Sequence, residues 1–404
     1  MNNELIHTPE GVRDIYGKEY ADKLQIQNIL HKQISLYGYQ DIQTPTFEYF
    51  DVFGKEIGTT PGKDLFKFFD NEGNILCLRP DFTPSMARCA AKYFAEDSMP
   101  LRLCYLGNTF CNTSILQGKL KETTQMGAEL MGDGSVQADG EMIAMLIDAL
   151  VNTGLSDFQV SIGEIDFFCG ICEDLQLSKE QETVIRDYIY NKNFLAAKEY
   201  LQSEKIEDDK IDIIMSIEDL FGSIDILSNA RKLSLHPLCS KALNHIRQLY
   251  DILCCYGVEK YVSFDLSMLS SYRYYTGIIF KVYTFGVGDV IVKGGRYDKL
   301  LPYFGKNSPA IGFVIMIDDL LQALRRQKIA IESNKKRIVI VYDKNHFKEA
   351  LALAGEYRRK GIQVPLLLWD ENKETEHYVQ FRNSLEADQL ICLTGEKNDL
   401  GEVQ

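Results

Sequence analysis

The spacing of apolar residues predicts a helix followed by short strands near the start of the chain. Over residues 18–37 apolar side chains recur every three or four positions, which is typical of one face of an amphipathic helix. Gly38 is well suited to end this helix, because a glycine often follows the last helical residue. Two short runs then predict strands, one at 41–45 that alternates and stops at a proline, and one at 76–79.

A helix start and a hairpin are predicted next. Thr83 stands directly before Pro84, which is typical of an N-cap followed by a proline in the first helical position, and the helix should extend to about Phe94. Two longer strands, about 101–111 and 121–131, are separated by a polar segment. We therefore expect an antiparallel hairpin with a long tip.

Further along, the pattern changes from strands to helices and back. The predicted elements are a helix at about 139–151, mostly helices over 178–253, strands at 261–266, 277–284 and 289–293, and a helix at about 316–326. Strands grouped as hairpins, with helices between the groups, are typical of an α+β domain built on an antiparallel sheet. The helical stretch of about 175–253 is predicted to be an insertion into that domain.

A second domain is predicted after the charged segment 332–337. From there strand and helix patterns alternate, which favours a small and mostly parallel α/β domain at 337–404. The first domain is then expected to span 1–328.

Composition narrows the classes of function. The 404 residues carry a formal net charge of −14, which speaks against a general nucleic-acid binder. Because no apolar stretch approaches a membrane span and the N-terminal residues lack a signal-peptide pattern, we expect a cytoplasmic protein without membrane contact. The ten cysteines include one Cys-x-x-Cys, Cys169 to Cys172, without a second pair or nearby histidines, so neither a metal nor another cofactor is predicted.

Polar residues alternate with apolar ones in the second strand of the hairpin. Thr123, Gln125, Gly127 and Glu129 share one face, since side chains in a strand have a period of two. A polar face with a glycine at its centre favours a sheet surface that cups a small polar ligand. The alternative is a sheet face that only contacts solvent.

Two further segments hold candidate ligand contacts. Asp81 and Thr83 lie at a strand-to-helix junction, where they either hold an amino group or cap the helix. Tyr275 and Tyr297 lie in tyrosine-containing segments next to glycines, where they either form the wall of a pocket or belong to the core.

Taken in order, these segments resemble the catalytic domain of class II histidyl-tRNA synthetases over roughly residues 7–325. The matching stretches are 8–14, 38–48 (motif 1), 78–83, the hairpin 101–132 (motif 2), 138–141, 274–277, 294–298 and 309–313 (motif 3). The resemblance implies a class II aminoacyl-tRNA synthetase-like sheet flanked by helices. It also implies that Asp81, Thr83, Gln125, Glu129, Tyr275 and Tyr297 form a pocket for a histidine-like ligand.

The resemblance fails where the synthetases hold ATP. Cys111, Ser270 and Asp319 stand at positions where that family has arginines, and Met316 replaces a motif 3 glycine. Losing one preorganised charge in such a site typically costs about 10²–10³ in rate, so the loss of three should abolish adenylation. No catalytic residues are therefore predicted.

A synthetase fold without the ATP cations resembles the ATP phosphoribosyltransferase regulatory subunits of histidine biosynthesis. This resemblance implies a non-catalytic protein that assembles with a short-form catalytic subunit into a hetero-octamer and supports its activity and its inhibition by L-histidine. It also implies a homodimer through about 20–48. Residues 337–404 resemble a truncated anticodon-binding domain without a basic stripe, so tRNA recognition is not expected. The alternatives are a divergent histidyl-tRNA synthetase and a sensor of uncharged tRNA.

Overall fold

The chain forms two compact units, Met1–Ile331 and Glu332–Gln404, in a computed structural model. The model describes residues 6–54, 60–96, 100–112, 120–270, 274–331 and 336–394. The division lies at the start of the charged segment 332–337, between the expected limits of 328 and 337. Most of the predicted hairpin tip, 113–119, lies outside the described residues, as do 271–273 in the predicted tyrosine-rich segment.

Helices of the first unit pack on one large sheet. They are α1 (Gly17–Leu36), α2 (Thr83–Tyr93), α3 (Val136–Asn152), α4 (Ile165–Asp174), α5 (Lys179–Tyr190), α6 (Phe194–Ser203), α7 (Asp208–Met215), α8 (Ile226–Leu233), α9 (Pro237–Tyr256), α10 (Leu300–Tyr303) and α11 (Ile317–Arg326). None of the described helices, in this unit or the next, is both long enough and apolar enough to cross a membrane.

The large sheet is mostly antiparallel. The strands of the first unit are β1 (Gln40–Asp41), β2 (Phe47–Tyr49), β3 (Lys67–Phe69), β4 (Ile75–Leu78), β5 (Leu101–Phe110), β6 (Glu122–Met131), β7 (Phe158–Glu164), β8 (Phe221–Gly222), β9 (Val262–Asp265), β10 (Ile278–Thr284), β11 (Val292–Arg296) and β12 (Ala310–Met316). The large sheet has the order β1-β5-β6-β12-β11-β10-β7-β9-β8, and β2-β4-β3 forms a separate small sheet. Only β1–β5 and β7–β9 pair in parallel among the described strands of the large sheet.

Strand β6 shows how the sequence pattern sets the two faces of the sheet. Met126, Ala128 and Leu130 are fully buried in the main core, where α1 and α3 also contribute apolar side chains. The alternate residues face the other way, as the period of two requires. This places Gln125 and Glu129 together on the opposite, polar face.

Two predicted strands differ from the structure. The strand expected at 41–45 ends at Asp41, and the Ile42 N–H still bonds to Cys104 O. Beyond it, the Thr44 and Pro45 carbonyls accept hydrogen bonds from the Arg79 guanidinium. The strand expected at 289–293 is Val292–Arg296, so that the pair Gly294–Gly295 lies inside it and does not end it. A Cβ at Gly294 would lie 2.4 Å from the Phe280 ring, which explains a glycine within a fully paired strand.

Two central strands, β7 and β12, had no predicted counterpart. Strand β12 has the sequence Ala-Ile-Gly-Phe-Val-Ile-Met and is buried along most of its length, so it lacks the alternation that marks a half-exposed strand. Helix α11 follows it directly, and a short apolar run before a helix cannot be assigned from periodicity alone.

The helical insertion begins and ends with clear sequence signals. Helix α5 starts with a capping box, in which Ser178 and Gln181 bond to each other's backbone N–H groups, and α9 ends at Gly257 in the left-handed conformation. The described helices α5–α9 cover 179–256, against an expected 175–253.

An ionic network ties α9 to the sheet. The His245 imidazole lies between two buried carboxylates, with Nε2 2.9 Å from Asp139 Oδ2 and Nδ1 2.9 Å from Glu164 Oε2. Arg296 of β11 donates to the other Asp139 oxygen. Burial alone lowers the pKa of His245, but the two carboxylates act more strongly and raise it to about 9. His245 is therefore an imidazolium at neutral pH.

The second unit is a small parallel sheet. Strand β13 (Ile338–Tyr342) lies between β14 (Leu366–Leu368) and β15 (Gln389–Leu393), and all three are parallel. Helices α12 (Phe347–Arg359) and α13 (Thr375–Ser384) connect them. Strand and helix alternate here as the sequence predicted.

Candidate functional site

The polar face of the large sheet forms a wall of a cavity of about 1140 Å³. Helices α1 and α11 contribute further walls. All six side chains predicted for a ligand pocket line this cavity, namely Asp81, Thr83, Gln125, Glu129, Tyr275 and Tyr297. The structure brings them together, and their role in binding a ligand stays a prediction.

Glu129 lies at the inner end of the cavity and is 1% exposed. Its Oε1 accepts a hydrogen bond from the Thr83 hydroxyl at 3.0 Å, and its Oε2 accepts one from the Tyr297 hydroxyl at 2.5 Å. Burial raises the pKa of Glu129 to about 8, although both hydroxyls favour the charged form and the Asp81 carboxylate disfavours it. In the unliganded chain the protonated form of Glu129 is therefore favoured at neutral pH.

The Glu129 carboxylate fits because the neighbouring strand has a glycine opposite it. Gly312 of β12 pairs with Glu129 in register, and a Cβ at that position would lie 1.7 Å from Oε2. Sequence analysis did not single out Gly312, since its importance appears only when β6 and β12 are paired.

Asp81 is the second carboxylate of the inner cavity, and it is partly buried. Its Oδ1 accepts from the Thr83 backbone N–H at 3.2 Å, and its Oδ2 accepts from the Tyr274 hydroxyl at 3.4 Å. Burial raises the pKa of Asp81, while its hydrogen bonds and the Lys293 ammonium act in the opposite direction. Tyr274 was not among the predicted site residues, and its position next to Tyr275 was the only signal for it.

The predicted N-cap role of Thr83 is wrong. Helix α2 begins at Thr83 itself, and Phe82, which makes no side-chain cap hydrogen bond, occupies the N-cap position. The Thr83 hydroxyl is instead used by Glu129, a long-range partner that local sequence could not reveal. Of the two interpretations of this junction, the one that turns Thr83 toward the pocket agrees with the geometry.

Aromatic rings enclose the two carboxylates. The Tyr274 ring lies 4.8 Å from the Tyr275 ring and 6.1 Å, edge to face, from the Tyr297 ring. The Tyr275 ring packs directly against Gly295, where a Cβ would lie only 2.8 Å from the ring. Tyr297 is both core and pocket, since it is 1% exposed and its hydroxyl still contacts Glu129.

Gln125 offers an acceptor without a partner. Its Oε1 is buried and makes no hydrogen bond within the part of the chain that the structure describes. Together with Asp81 and Glu129 it gives the inner cavity three acceptor groups. Such a set is suited to an ammonium or another multiple hydrogen-bond donor.

Outside the cavity, three potential metal ligands lie close together. His31 Nε2 is 2.7 Å from Asp41 Oδ1, and the Cys104 Sγ is 3.4 Å from the same oxygen. Burial, with the neighbouring Asp41, raises the pKa of the Cys104 thiol to about 12. The thiol is therefore a protonated donor to Asp41 at neutral pH.

Similarity to known proteins assigns the family. The profile described as Histidyl-tRNA synthetase matches residues 11–320. The ATP phosphoribosyltransferase regulatory subunit of Acetivibrio thermocellus is 41% identical over 359 residues, which cover 89% of this chain and 86% of that protein. The chain belongs to the ATP phosphoribosyltransferase regulatory subunit family. The member from Clostridium kluyveri is 37% identical and covers 95% of this chain and 98% of its own length.

Solved structures agree with this family and with the predicted fold class. The crystal structure of an ATP phosphoribosyltransferase regulatory subunit/histidyl-tRNA synthetase from Bacillus halodurans has a TM-score of 0.87 at 31% identity, covering 97% of this chain and 99% of that one. A histidyl-tRNA synthetase from a Nostoc species has a TM-score of 0.79 at 18% identity, covering 95% and 90%, and so shares the fold. The predicted family and the class II synthetase-like α+β fold are confirmed.

Three of the four positions at which this member of the regulatory subunit family differs from the ATP site of the synthetases line the outer part of the cavity. Cys111, Met316 and Asp319 line it, whereas Ser270 does not. Burial raises the pKa of the Cys111 thiol to about 11, so this position is uncharged at neutral pH. The adjacent Asp318 accepts from Lys23 Nζ and from the Thr124 backbone N–H, each at 2.7 Å.

Proposed function

We propose that this chain is a regulatory subunit without catalytic activity of its own. In this proposal it assembles with a short-form ATP phosphoribosyltransferase catalytic subunit for the first step of L-histidine biosynthesis, in the cytoplasm. The observation that carries the proposal is the contrast within one cavity. The inner end keeps the buried Glu129, the partly buried Asp81 and three tyrosine rings, while the outer end has a neutral thiol at Cys111 and a carboxylate at Asp319.

The absence of adenylation activity follows from charge. ATP chemistry needs preorganised positive groups where phosphate charge develops, and each such group contributes about 3–4 kcal/mol. The proposal is supported by Asp318 and Asp319 in the cavity lining, where Asp318 pairs with Lys23. Histidine-dependent ATP–pyrophosphate exchange by the purified chain tests this directly. Exchange above the level of a buffer control would favour the alternative, a divergent histidyl-tRNA synthetase.

The proposed ligand of the inner cavity is L-histidine. The Asp81 and Glu129 carboxylates disfavour each other's charge, and a bound ammonium is a natural counter-ion for them. The Tyr275 and Tyr297 rings favour an aromatic imidazole over an aliphatic side chain. Calorimetry should therefore show that L-histidine binds in preference to histamine and L-leucine.

Variants of β6 test whether this cavity is the histidine site. Glu129→Ala should weaken histidine binding by about 2–5 kcal/mol, because truncating one partner of a buried charge pair has that effect. Glu122→Ala is a matched control on the same strand, since Glu122 does not line the cavity and bonds to Asn108. Equal histidine affinity in the two variants would move the site elsewhere.

The partner proposal is tested in the assembled complex. We expect the chain to co-purify with the short-form catalytic subunit, to raise its activity, and to make that activity sensitive to histidine. Light scattering should give the mass of a hetero-octamer for the mixture. A catalytic subunit that is equally active and equally histidine-sensitive alone would overturn the regulatory role.

We also propose a homodimer through about 20–48. Exposed apolar side chains lie along this segment, with Tyr20 and Leu24 on α1 and Phe47 and Tyr49 on β2. Light scattering at micromolar concentration should show a dimer. Phe47→Asp should dissociate it, whereas Phe285→Asp, at another exposed phenylalanine, should not.

A further inference from the structure

Two lysines face each other across the strands next to the ligand cavity. Lys281 of β10 and Lys293 of β11 are direct partners in the register, so their side chains project from the same face of the sheet. Like charges directly opposite one another destabilise a sheet. Lys293 also lines the cavity. An anion bound between the two ammonium groups would remove this repulsion.

The other cations of the cavity already have partners. Arg13 and Arg325 pair with Glu19, Lys23 pairs with Asp318, and Arg326 donates to a backbone carbonyl. Neither lysine of the pair has an ion-pair or hydrogen-bond partner within the described ranges, and Lys281 has only the Tyr190 ring at 5.6 Å. Burial, together with the charges of Lys293 and Lys192, lowers the pKa of Lys281. The Asp265 and Asp289 carboxylates act on this pKa in the opposite direction, but none of the described residues forms an ion pair with either lysine.

The lysine pair lies close to the group that would hold an ammonium. The Lys293 charge acts on both Asp81 and Cys111, which line the same cavity. An amino acid carries its carboxylate next to its ammonium, so a ligand whose ammonium contacts the two acidic side chains has its carboxylate nearby.

We propose that Lys293, assisted by Lys281, binds the α-carboxylate of the amino-acid ligand. This inference rests on the proposed ligand of the inner cavity, and it names the residues that would distinguish an amino acid from the corresponding amine or alcohol. Lys293 is the direct contact because it lines the cavity. Lys281 adds the second positive charge from the neighbouring strand.

The test is calorimetry of the full chain with L-histidine and with L-histidinol, in which an uncharged alcohol replaces the carboxylate. The unsubstituted chain should prefer L-histidine. Lys293→Met should weaken L-histidine binding about 10- to 100-fold, the range for losing one hydrogen bond to a charged group, and Lys281→Met should weaken it less. Both variants should bind L-histidinol as the unsubstituted chain does.

A nearby lysine and the unliganded stability serve as controls. Lys192→Met should change L-histidine affinity less than twofold, because Lys192 pairs with Asp265 at 3.3 Å and does not line the cavity. Lys293→Met should leave the unliganded melting temperature equal or higher, since one of two facing like charges is removed. A Lys293→Met protein that is less stable without ligand would overturn the proposed repulsion.

The outcomes separate this inference from the function on which it rests. If the unsubstituted chain binds neither compound, the histidine pocket is wrong and the carboxylate site is overturned with it. If it prefers L-histidine and Lys293→Met keeps the same preference, the pocket stands and the lysine pair is not the carboxylate site. Loss of the preference in Lys293→Met and its recovery in Lys293→Arg support the inference.

Discussion

The buried carboxyl of Glu129 should make the stability of the unliganded first unit depend on pH, and Glu129→Gln should remove that dependence. The amide has nearly the same shape, and the Thr83 and Tyr297 hydroxyls can each donate to it or accept from it. Unlike the carboxyl, it does not ionise at any pH. The difference between the two proteins therefore isolates the ionisation of this one side chain.

The size of the effect follows from the pKa of Glu129. In the folded chain this pKa is raised from its ordinary 4.5 to about 8, so between these two values the folded state binds more protons than the unfolded state. Stability then falls as pH rises, by about 1.4 kcal/mol per pH unit. Near pH 5 the two proteins should have similar free energies of unfolding. At pH 9 the Glu129→Gln variant should be the more stable by up to about 5 kcal/mol.

Urea unfolding at several pH values between these limits measures this difference. Far-UV circular dichroism is the suitable signal, because the single tryptophan, Trp369, belongs to the second unit. Glu199→Gln, at an exposed position of α6, should differ from the unsubstituted chain by less than about 0.5 kcal/mol at every pH. A Glu129→Gln difference that does not change with pH would refute the reasoning.

Three other substitutions, with their controls, test the ionic contacts, packing and capping of the fold. His245→Gln should lower the free energy of unfolding by about 3 kcal/mol more at pH 6 than at pH 10, as measured by urea unfolding. The His245 pKa, raised from 6.5 to about 9, gives stability that is fully present below pH 6.5 and is lost as pH rises through 9. A loss that did not depend on pH would contradict the ionic network. Gly312→Ala should destabilise the first unit by about 1–3 kcal/mol, because the added Cβ would overpack the strand. Gly355→Ala in α12 should stabilise the second unit by about 0.5–1 kcal/mol, because nothing lies near its added Cβ. A change of the same sign in both variants would contradict this packing argument. Ser178→Ala should lower the free energy of unfolding by about 1 kcal/mol, because the capping box is lost. Ser178→Asp should retain most of that stability, since aspartate is also a good N-cap residue. If both variants lost the same amount, the capping explanation would fail.

Local patterns revealed those parts of the site that depend on one element. The alternation in β6 was enough to place Gln125 and Glu129 on a shared polar face, and the helical period of α1 was equally clear. Local patterns also marked Asp81, Tyr275 and Tyr297 as candidates, and the resemblance to a known family joined them, far apart in sequence, into one predicted pocket. Each of these signals is contained in the residues themselves or in the order of motifs.

The remaining parts depend on the register between distant strands. Gly312 leaves room for the carboxylate of Glu129, which lies opposite it, and Lys293 faces Lys281. Neither relation can be obtained from one segment of the sequence. Thr83 shows the same limit, since a local rule assigned its hydroxyl to a helix start while Glu129 accepts its hydrogen bond. Strand β12 escaped prediction because burial on both faces removes the alternation.

The pairing of β6 with β12 also has a consequence for synthesis of the chain. Gly312 is made 183 positions after Glu129, with the helical insertion between them. At about 5–20 residues per second, a ribosome needs about 10–40 s to cover that distance. During this interval β6 can pair with β5, but its other edge has no strand to bond to. Unpaired strand edges promote association with other chains, so this is the interval in which the nascent chain most needs shielding by a chaperone.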